Sequence, residues 1–143
     1  MASTYIAAAA ALDAPVTVSR LAGQPVTVYS EFIFPVAPVI NDVVQTIKVP
    51  KGARVIETKL GSDDLDTNGS PTITLDVGDG GDVDRYIAAS TIAQTGGAPV
   101  ESILKTGLGF IYTADDTIDI MVKAAPATGA VGTVRLVTTY LTP

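Results

Sequence analysis

The chain contains no cysteine, no histidine and no tryptophan among its 143 residues. Without cysteine it can form neither disulfides nor thiolate metal sites, and its composition does not indicate a redox compartment. Without histidine it lacks the commonest general base and the commonest ligand of transition metals. These absences exclude most familiar hydrolase and metalloenzyme sites.

Positive charge is also scarce. Nine Lys and Arg residues stand against fifteen Asp and Glu residues, for a formal net charge of -6. Such a chain is repelled by the phosphates of nucleic acids and by anionic lipids. An apolar run at residues 6–12 lacks the preceding positive charge of a signal peptide and is too short to span a bilayer. We therefore expect neither nucleic acid nor membrane as a partner.

Groups that could carry catalysis are few. The only glutamates are Glu31, Glu57 and Glu101, and no spacing places two of them opposite each other. A carboxylate pair of the glycosidase kind would also need aromatic side chains that stack on sugar rings, but the chain has only five Tyr and three Phe. We predict no enzymatic activity, no catalytic residue and no cofactor.

Apolar side chains, by contrast, are abundant. The chain is 47% hydrophobic, with a mean hydropathy of +0.38. Its length fits one domain, which can bury roughly 70% of the surface of the unfolded chain. Such a high apolar content in a small protein is explained if part of the surface is buried between subunits. We therefore expect a homo-oligomer.

The alanine-rich first 23 residues differ from the rest of the chain. We interpret residues 1–23 as an N-terminal arm or interface segment that takes its structure from a partner or from the domain, and residues 24–143 as that domain. Within the arm, Tyr5, Ile6 and Leu12 are predicted to contact a neighbouring subunit. Burial against their own domain is the alternative.

From residue 24 onward, apolar and polar residues alternate with the period of a β-strand. The clearest examples are "TIDIMVKA", residues 117–124, and "TVRLVTTYL", residues 133–141. About eight short strands separated by Gly, Pro and Asp turns predict an all-β, antiparallel sandwich of the jelly-roll or Greek-key kind. Residues 42–49 and 53–60, on either side of a Pro-Lys-Gly turn, predict a hairpin. Residues 84–87 and 109–113 predict two further short strands, and a turn of helix is expected before Gly96.

The stretch "DLDTNG", residues 64–69, matches the first half of an EF-hand calcium loop. Asp64, Asp66 and Asn68 would be its first three ligands, but the twelfth position, which needs a bidentate glutamate, is Leu75. The flanking patterns also predict strands rather than helices. We interpret the stretch as a polar hairpin tip whose Asp and Asn side chains cap the backbone, and a weak calcium site is the alternative.

Two further loops have a distinctive composition, one acidic and the other apolar. "DVGDGGDVD", residues 76–84, is acidic and matches no ligand pattern, so we interpret it as a solvated loop. "PVAPVI" is apolar and lies between two predicted strands, which places Val36, Val39 and Ile40 at an edge or an interface. An ordinary buried crossover is the alternative for this second loop.

Two segments carry a family resemblance: "LDVGDGGDVDRYI", residues 75–87, and "YTADDTIDI" with the following "GTVRLVTTYL". With the strands between them, they make residues 24–142 resemble head decoration, or cement, proteins of tailed bacteriophages, which are encoded beside the major capsid gene. The shared pattern consists of strands and turns and contains no catalytic motif.

The resemblance implies a β-sandwich on the outer surface of the phage head, in the virion, where it bridges subunits of the major capsid protein. It also implies assembly as a homodimer or homotrimer. The alternative from a different class is a tail- or fibre-associated β module that binds host glycan. That alternative would require exposed aromatic residues over a groove, and the absence of tryptophan counts against it.

Overall fold

The structure, a computed structural model, describes residues 2–11, 23–101 and 103–143. Within these ranges the chain is all-β, with nine strands and two single turns of 3-10 helix. The strands are β1 (Thr4–Ile6), β2 (Pro25–Ile33), β3 (Val43–Val49), β4 (Arg54–Ser62), β5 (Thr74–Gly78), β6 (Ile87–Ser90), β7 (Gly97–Glu101), β8 (Asp116–Ala124) and β9 (Thr133–Leu141). The 3-10 turns are Ala8–Ala10 and Ile92–Gln94.

The strands form two sheets that pack into a sandwich. One sheet has the order β1-β3-β8-β5-β6 and the other the order β2-β9-β4-β7. Apart from β1, the chain pairs like one long hairpin rolled onto itself: β2 with β9, β3 with β8, β4 with β7 and β5 with β6, all antiparallel. This nested order is that of an eight-stranded jelly roll, so the predicted fold class is confirmed.

The core lies between the two sheets and follows the alternation of the sequence. In β9 every second side chain from Val134 to Tyr140 is buried, and in β8 the same holds from Ile118 to Val122. The side chains between them are partly exposed. The buried members are Ile118, Ile120, Val122, Val134, Leu136, Thr138 and Tyr140. Each large aliphatic side chain among them contributes roughly 1.5–3 kcal/mol through burial. Their alternation therefore fixes which face of each sheet turns inward.

The predicted hairpin between residues 42–49 and 53–60 is wrong. β3 belongs to one sheet and β4 to the other, so the turn between them crosses the core instead of joining paired strands. Gly52, with φ +86, lets the chain reverse, and Val49 and Ala53 on either side are fully buried. Alternation alone does not distinguish a hairpin from such an arch, because both join two half-buried strands.

Strand positions in the second half were partly misplaced. Residues 84–87 were expected to form a strand, but β6 starts only at its last residue, Ile87. The expected strand at 109–113 is reduced to a bridge between Arg54 and Ile111. There Tyr112 donates a main-chain hydrogen bond to Ala53, at the start of the arch. The predicted helical turn before Gly96 is confirmed by the 3-10 turn.

The N-terminal residues lie against the domain. β1 pairs in parallel with β3 at the edge of the five-stranded sheet, and the 3-10 turn follows along the same strand. For these residues the structure comes from their own chain, which was one of the two alternatives for the arm. The proposed boundary at residue 23 stays a prediction.

Candidate interaction surface

Five aliphatic side chains are exposed where two loops meet at one end of the sandwich. We call this surface the apolar end. Its members are Ile33 (68% exposed), Val36 (58%), Val39 (42%), Ile40 (49%) and Val131 (60%). An apolar surface of this kind is typical of a contact with another molecule.

The pairing of the first and last strands of the jelly roll brings these loops together. Ile33 ends β2 opposite Thr133, which begins β9. Just beyond, the Phe34 amide donates to the carbonyl of Gly132 at 2.9 Å. The loop after β2 and the loop before β9 therefore run side by side, although they are almost 100 residues apart in sequence.

A buried carboxylate holds the loop between β2 and β3. The Oδ2 atom of Asp42 accepts a hydrogen bond from the Val39 amide at 2.9 Å, and its Oδ1 atom accepts one from the Ser3 amide at 2.8 Å. Pro35 and Pro38 restrict the backbone of the same loop. The apolar end is therefore ordered before any partner binds, which lowers the entropy cost of binding.

The predicted interface residues separate into three groups. Val36, Val39 and Ile40 are all exposed at the apolar end, so the loop that carries them is not a buried crossover. Ile6 is half-exposed on β1, whereas Tyr5 is partly buried, with its ring centroid 5.1 Å from that of Phe32 and 5.6 Å from that of Phe34. Leu12 lies outside the described residues. A contact of any of them with a neighbouring subunit stays a prediction.

Sequence reasoning missed Ile33 and Val131. Ile33 does follow a readable signal, because in the alternation of β2 it falls on the face opposite the inward Phe32 and Phe34. Val131 lies in an irregular loop, where no period applies. Only the pairing of β2 with β9 brings it to the apolar end.

The "DLDTNG" stretch lies at the same end of the sandwich. The predicted capping is confirmed: Asp64 Oδ1 accepts from the Asp66 amide at 3.0 Å, and Asn68 Oδ1 accepts from the Ser70 amide at 2.9 Å. The predicted hairpin tip is wrong, because β4 and β5 lie in different sheets and the loop crosses between them. Asp66, moreover, is buried rather than exposed.

Both carboxylate oxygens of Asp66 are used by the main chain. Oδ2 accepts from the amides of residues 72, 73 and 127, at 2.7, 3.2 and 2.8 Å. Oδ1 accepts from the amides of residues 68 and 128, at 3.3 and 2.8 Å. Burial opposes ionisation of Asp66, but these donors outweigh it and hold its pKa well below the usual range. Asp66 thus ties the β4–β5 loop to the loop before β9.

This geometry bears on the calcium alternative. A cation at Asp66 would have to displace main-chain hydrogen bonds, since each oxygen already accepts at least two. Among the residues that the structure describes, no group of three or more Asp, Glu, His or Cys side chains is arranged to hold a metal ion.

The acidic stretch at residues 76–84 is not simply a solvated loop, as the sequence suggested. Asp76 and Asp79 are both buried. Burial opposes ionisation of Asp79, but hydrogen bonds from Arg85 and Tyr112 lower its pKa below the ordinary value. The sequence places Arg85 directly after this loop. The spacing between Asp79 and Arg85, however, matches no known motif.

No protein-family model matches this chain, and no curated protein matches it. Among solved structures, a chain of the cyanophage Pam1 capsid asymmetric unit is 36% identical, with a TM-score of 0.76 and coverage of 95% of this chain and 99% of that chain. This chain belongs to a family of phage capsid-associated proteins. A chain of the Ralstonia phage GP4 capsid is 30% identical, with a TM-score of 0.83 and 98% coverage of both chains.

The fold of this capsid-associated protein is also found in a third phage capsid structure at lower sequence identity. A chain of the acid-stable capsid of the Helicobacter pylori bacteriophage KHP30 has a TM-score of 0.60 at 17% identity, over 86% of this chain and 91% of that chain. At that identity the likeness shows a common fold alone. Membership of the capsid-associated family supports a structural role in the virion.

Proposed function

We propose that this protein decorates the outer surface of a tailed-phage head and cements it by bridging subunits of the major capsid protein. The observation that carries the proposal is the near-complete coverage of two chains from phage capsid structures, at 36% and 30% identity. The match covers almost the whole length of both chains, so it is not confined to one segment of this chain.

The physical properties of the chain support this role. A net charge of -6 per copy disfavours contact with packaged DNA. In the described part of the chain, no helix has the length and apolar character needed to cross a membrane. A cement protein needs an ordered adhesive surface rather than a catalytic site, and the apolar end is such a surface.

We assign the contact with the capsid to the apolar end. Its five aliphatic side chains are 42–68% exposed, and burying the exposed part of each contributes about 1 kcal/mol. Such a contact is weak for one copy. Many copies on a closed shell, associated as dimers or trimers, multiply it through avidity.

The location of the protein tests the proposal. Cryo-electron microscopy of purified particles, together with quantitative mass spectrometry, should find the chain on the head in a fixed ratio to the major capsid protein. Its presence in tails alone would favour the glycan-binding module, and its absence from particles would overturn the proposal.

Binding to particles stripped of this protein tests the surface. Val36→Asp and Val131→Asp should each reduce binding strongly, because they place a charge in the contact. Val83→Asp is the matched control, since Val83 is similarly exposed, at 44%, in the loop between β5 and β6 at the opposite end. Equal loss with all three variants would show that the contact lies elsewhere.

A further inference from the structure

We propose that residues 3–10 exchange between copies of this protein, so that β1 of one copy completes the five-stranded sheet of its neighbour. The inference rests on the self-association in the proposed function and supplies a mechanism for it. The partner is a second copy of the same chain, and the site is the edge of β3.

β1 stands apart from the strand pairing of the sandwich. The other eight strands form the complete nested order of a jelly roll, while β1 adds three residues to the outer edge of one sheet. It also makes the only parallel pairing among the described strands. The eight-stranded core therefore does not depend on which copy provides β1.

The contacts that hold residues 3–10 can be made equally well between two chains. The Val43 amide donates to the Ser3 carbonyl and the Ala7 amide to the Gln45 carbonyl, both at 2.9 Å. The Ser3 amide donates to Asp42 at 2.8 Å. All of these contacts cross from residues 3–10 to β3 or to the residue before it, so an identical segment from a neighbour reproduces each of them.

An empty site at this edge is unfavourable. Without residues 3–10, the buried Asp42 carboxylate loses one of its donors. The rings of Phe32 and Phe34 lose the packing of Tyr5, which lies within 5.6 Å of both. When the segment leaves this edge, the same segment of a neighbouring copy is the group that restores these contacts, and a high local concentration of copies on a capsid favours that replacement.

The covalent connection permits the exchange. Twelve peptide units join Ala11 to Gly23, and a chain of that length spans up to about 40 Å. A small domain is about 30 Å across. The connection is thus long enough for the N-terminal segment to reach an adjacent copy.

Disulfide trapping tests the exchange directly, and the absence of native cysteine makes it specific. Thr4 and Val43 are opposite each other in the β1–β3 pair, at a separation suited to a disulfide. A Thr4→Cys chain and a Val43→Cys chain, carrying tags of different mass, are coexpressed in full length and then oxidised mildly. Exchange predicts a disulfide that joins the two tags, identified by non-reducing electrophoresis and mass spectrometry.

Two controls define the outcome. Thr4→Cys coexpressed with Thr113→Cys, an exposed position in the segment before β8, should give no mixed disulfide above random collision. A single chain with both Thr4→Cys and Val43→Cys reports whether the pair forms at all. The exchange would be overturned if the disulfide forms within that chain and no disulfide joins the two separate chains. If no disulfide forms either within the double-cysteine chain or between the separate chains, the exchange is also overturned, because the pairing of β1 with β3 would be wrong. Neither result would affect the location of the protein in particles.

Discussion

Arg85 donates hydrogen bonds to both carboxylate oxygens of Asp79, from Nε at 2.6 Å and from Nη2 at 3.1 Å. The Tyr112 hydroxyl donates to the same carboxylate at 2.9 Å. The Arg85 guanidinium also lies 3.6 Å from the centroid of the Phe110 ring, a cation–π contact. These contacts tie the β5–β6 loop to the segment before β8, at the end of the sandwich opposite the apolar end.

Removal of this arginine should destabilise the fold strongly. Arg85→Met keeps most of the side-chain volume but leaves the buried Asp79 without its cation, which costs about 3 kcal/mol. Urea unfolding measures the change. Lys59→Met is the matched control, because the Lys59–Glu57 pair is about one-third exposed and such pairs contribute at most about 1 kcal/mol. Equal losses would show that the Asp79 pair is only a surface interaction.

Asp119 should make stability depend on pH near neutrality. Burial, followed by the charges of Asp116 and Asp79, raises its pKa to about 7 against an opposing hydrogen bond from Thr117. Because the folded state holds this proton more tightly than the unfolded state, the contribution of Asp119 is complete below its ordinary pKa of 3.8 and is lost as the pH rises through 7.

The variant Asp119→Asn isolates this effect. The amide still accepts the hydrogen bond from the Thr117 hydroxyl, which is 2.7 Å long in the native protein, but carries no charge. At pH 8 the variant should be more stable than the native protein by roughly 1–3 kcal/mol, and at pH 5 the difference should be much smaller. Thermal melts across this range measure it, and a difference independent of pH would contradict the assignment.

The core contains hydroxyl groups that offer a gain in stability. Thr58 and Thr138 are opposite each other on β4 and β9, both fully buried, and neither hydroxyl has a hydrogen-bond partner. Thr138→Val keeps the shape and removes the unsatisfied group, so it should raise the free energy of unfolding by about 1 kcal/mol. Thr46→Val is the control, because the Thr46 hydroxyl donates to the Ile118 carbonyl at 2.6 Å. That variant should be destabilised by a similar amount in chemical denaturation.

Removal of residues 1–12 should leave a folded sandwich. The eight strands of the jelly roll keep all their pairings, but Tyr5 no longer packs on Phe32 and Phe34. We expect an unchanged far-ultraviolet circular dichroism spectrum, a lower melting temperature and weaker attachment to capsids. Tyr5→Ala should reproduce part of the loss in melting temperature. Loss of the sandwich itself would show that β1 is required for folding.

The sequence predicts the features that depend on local period and misses those that depend on distant pairing. The inward faces of β8 and β9 follow from alternation, which buries residues 118, 120 and 122 of β8 and residues 134, 136, 138 and 140 of β9. β1 has only three residues, too few to show a period. Val131 reaches the apolar end only through the β2–β9 pair, and the sequence pattern of its own loop does not indicate that position.

The role of Asp66 shows the same limit and gives a final test. Local spacing correctly predicted that Asp64 and Asn68 cap the backbone. Four of the five main-chain donors to Asp66, however, lie at least six residues away, in segments that only the fold brings close. Asp66→Asn places an amide group among those N–H donors, so it should lower the melting temperature far more than Asp64→Asn, whose carboxylate accepts from one amide. Because the donors already occupy both oxygens, EDTA should leave the melting temperature unchanged. A rise on adding calcium that EDTA reverses would instead establish a metal site in this loop.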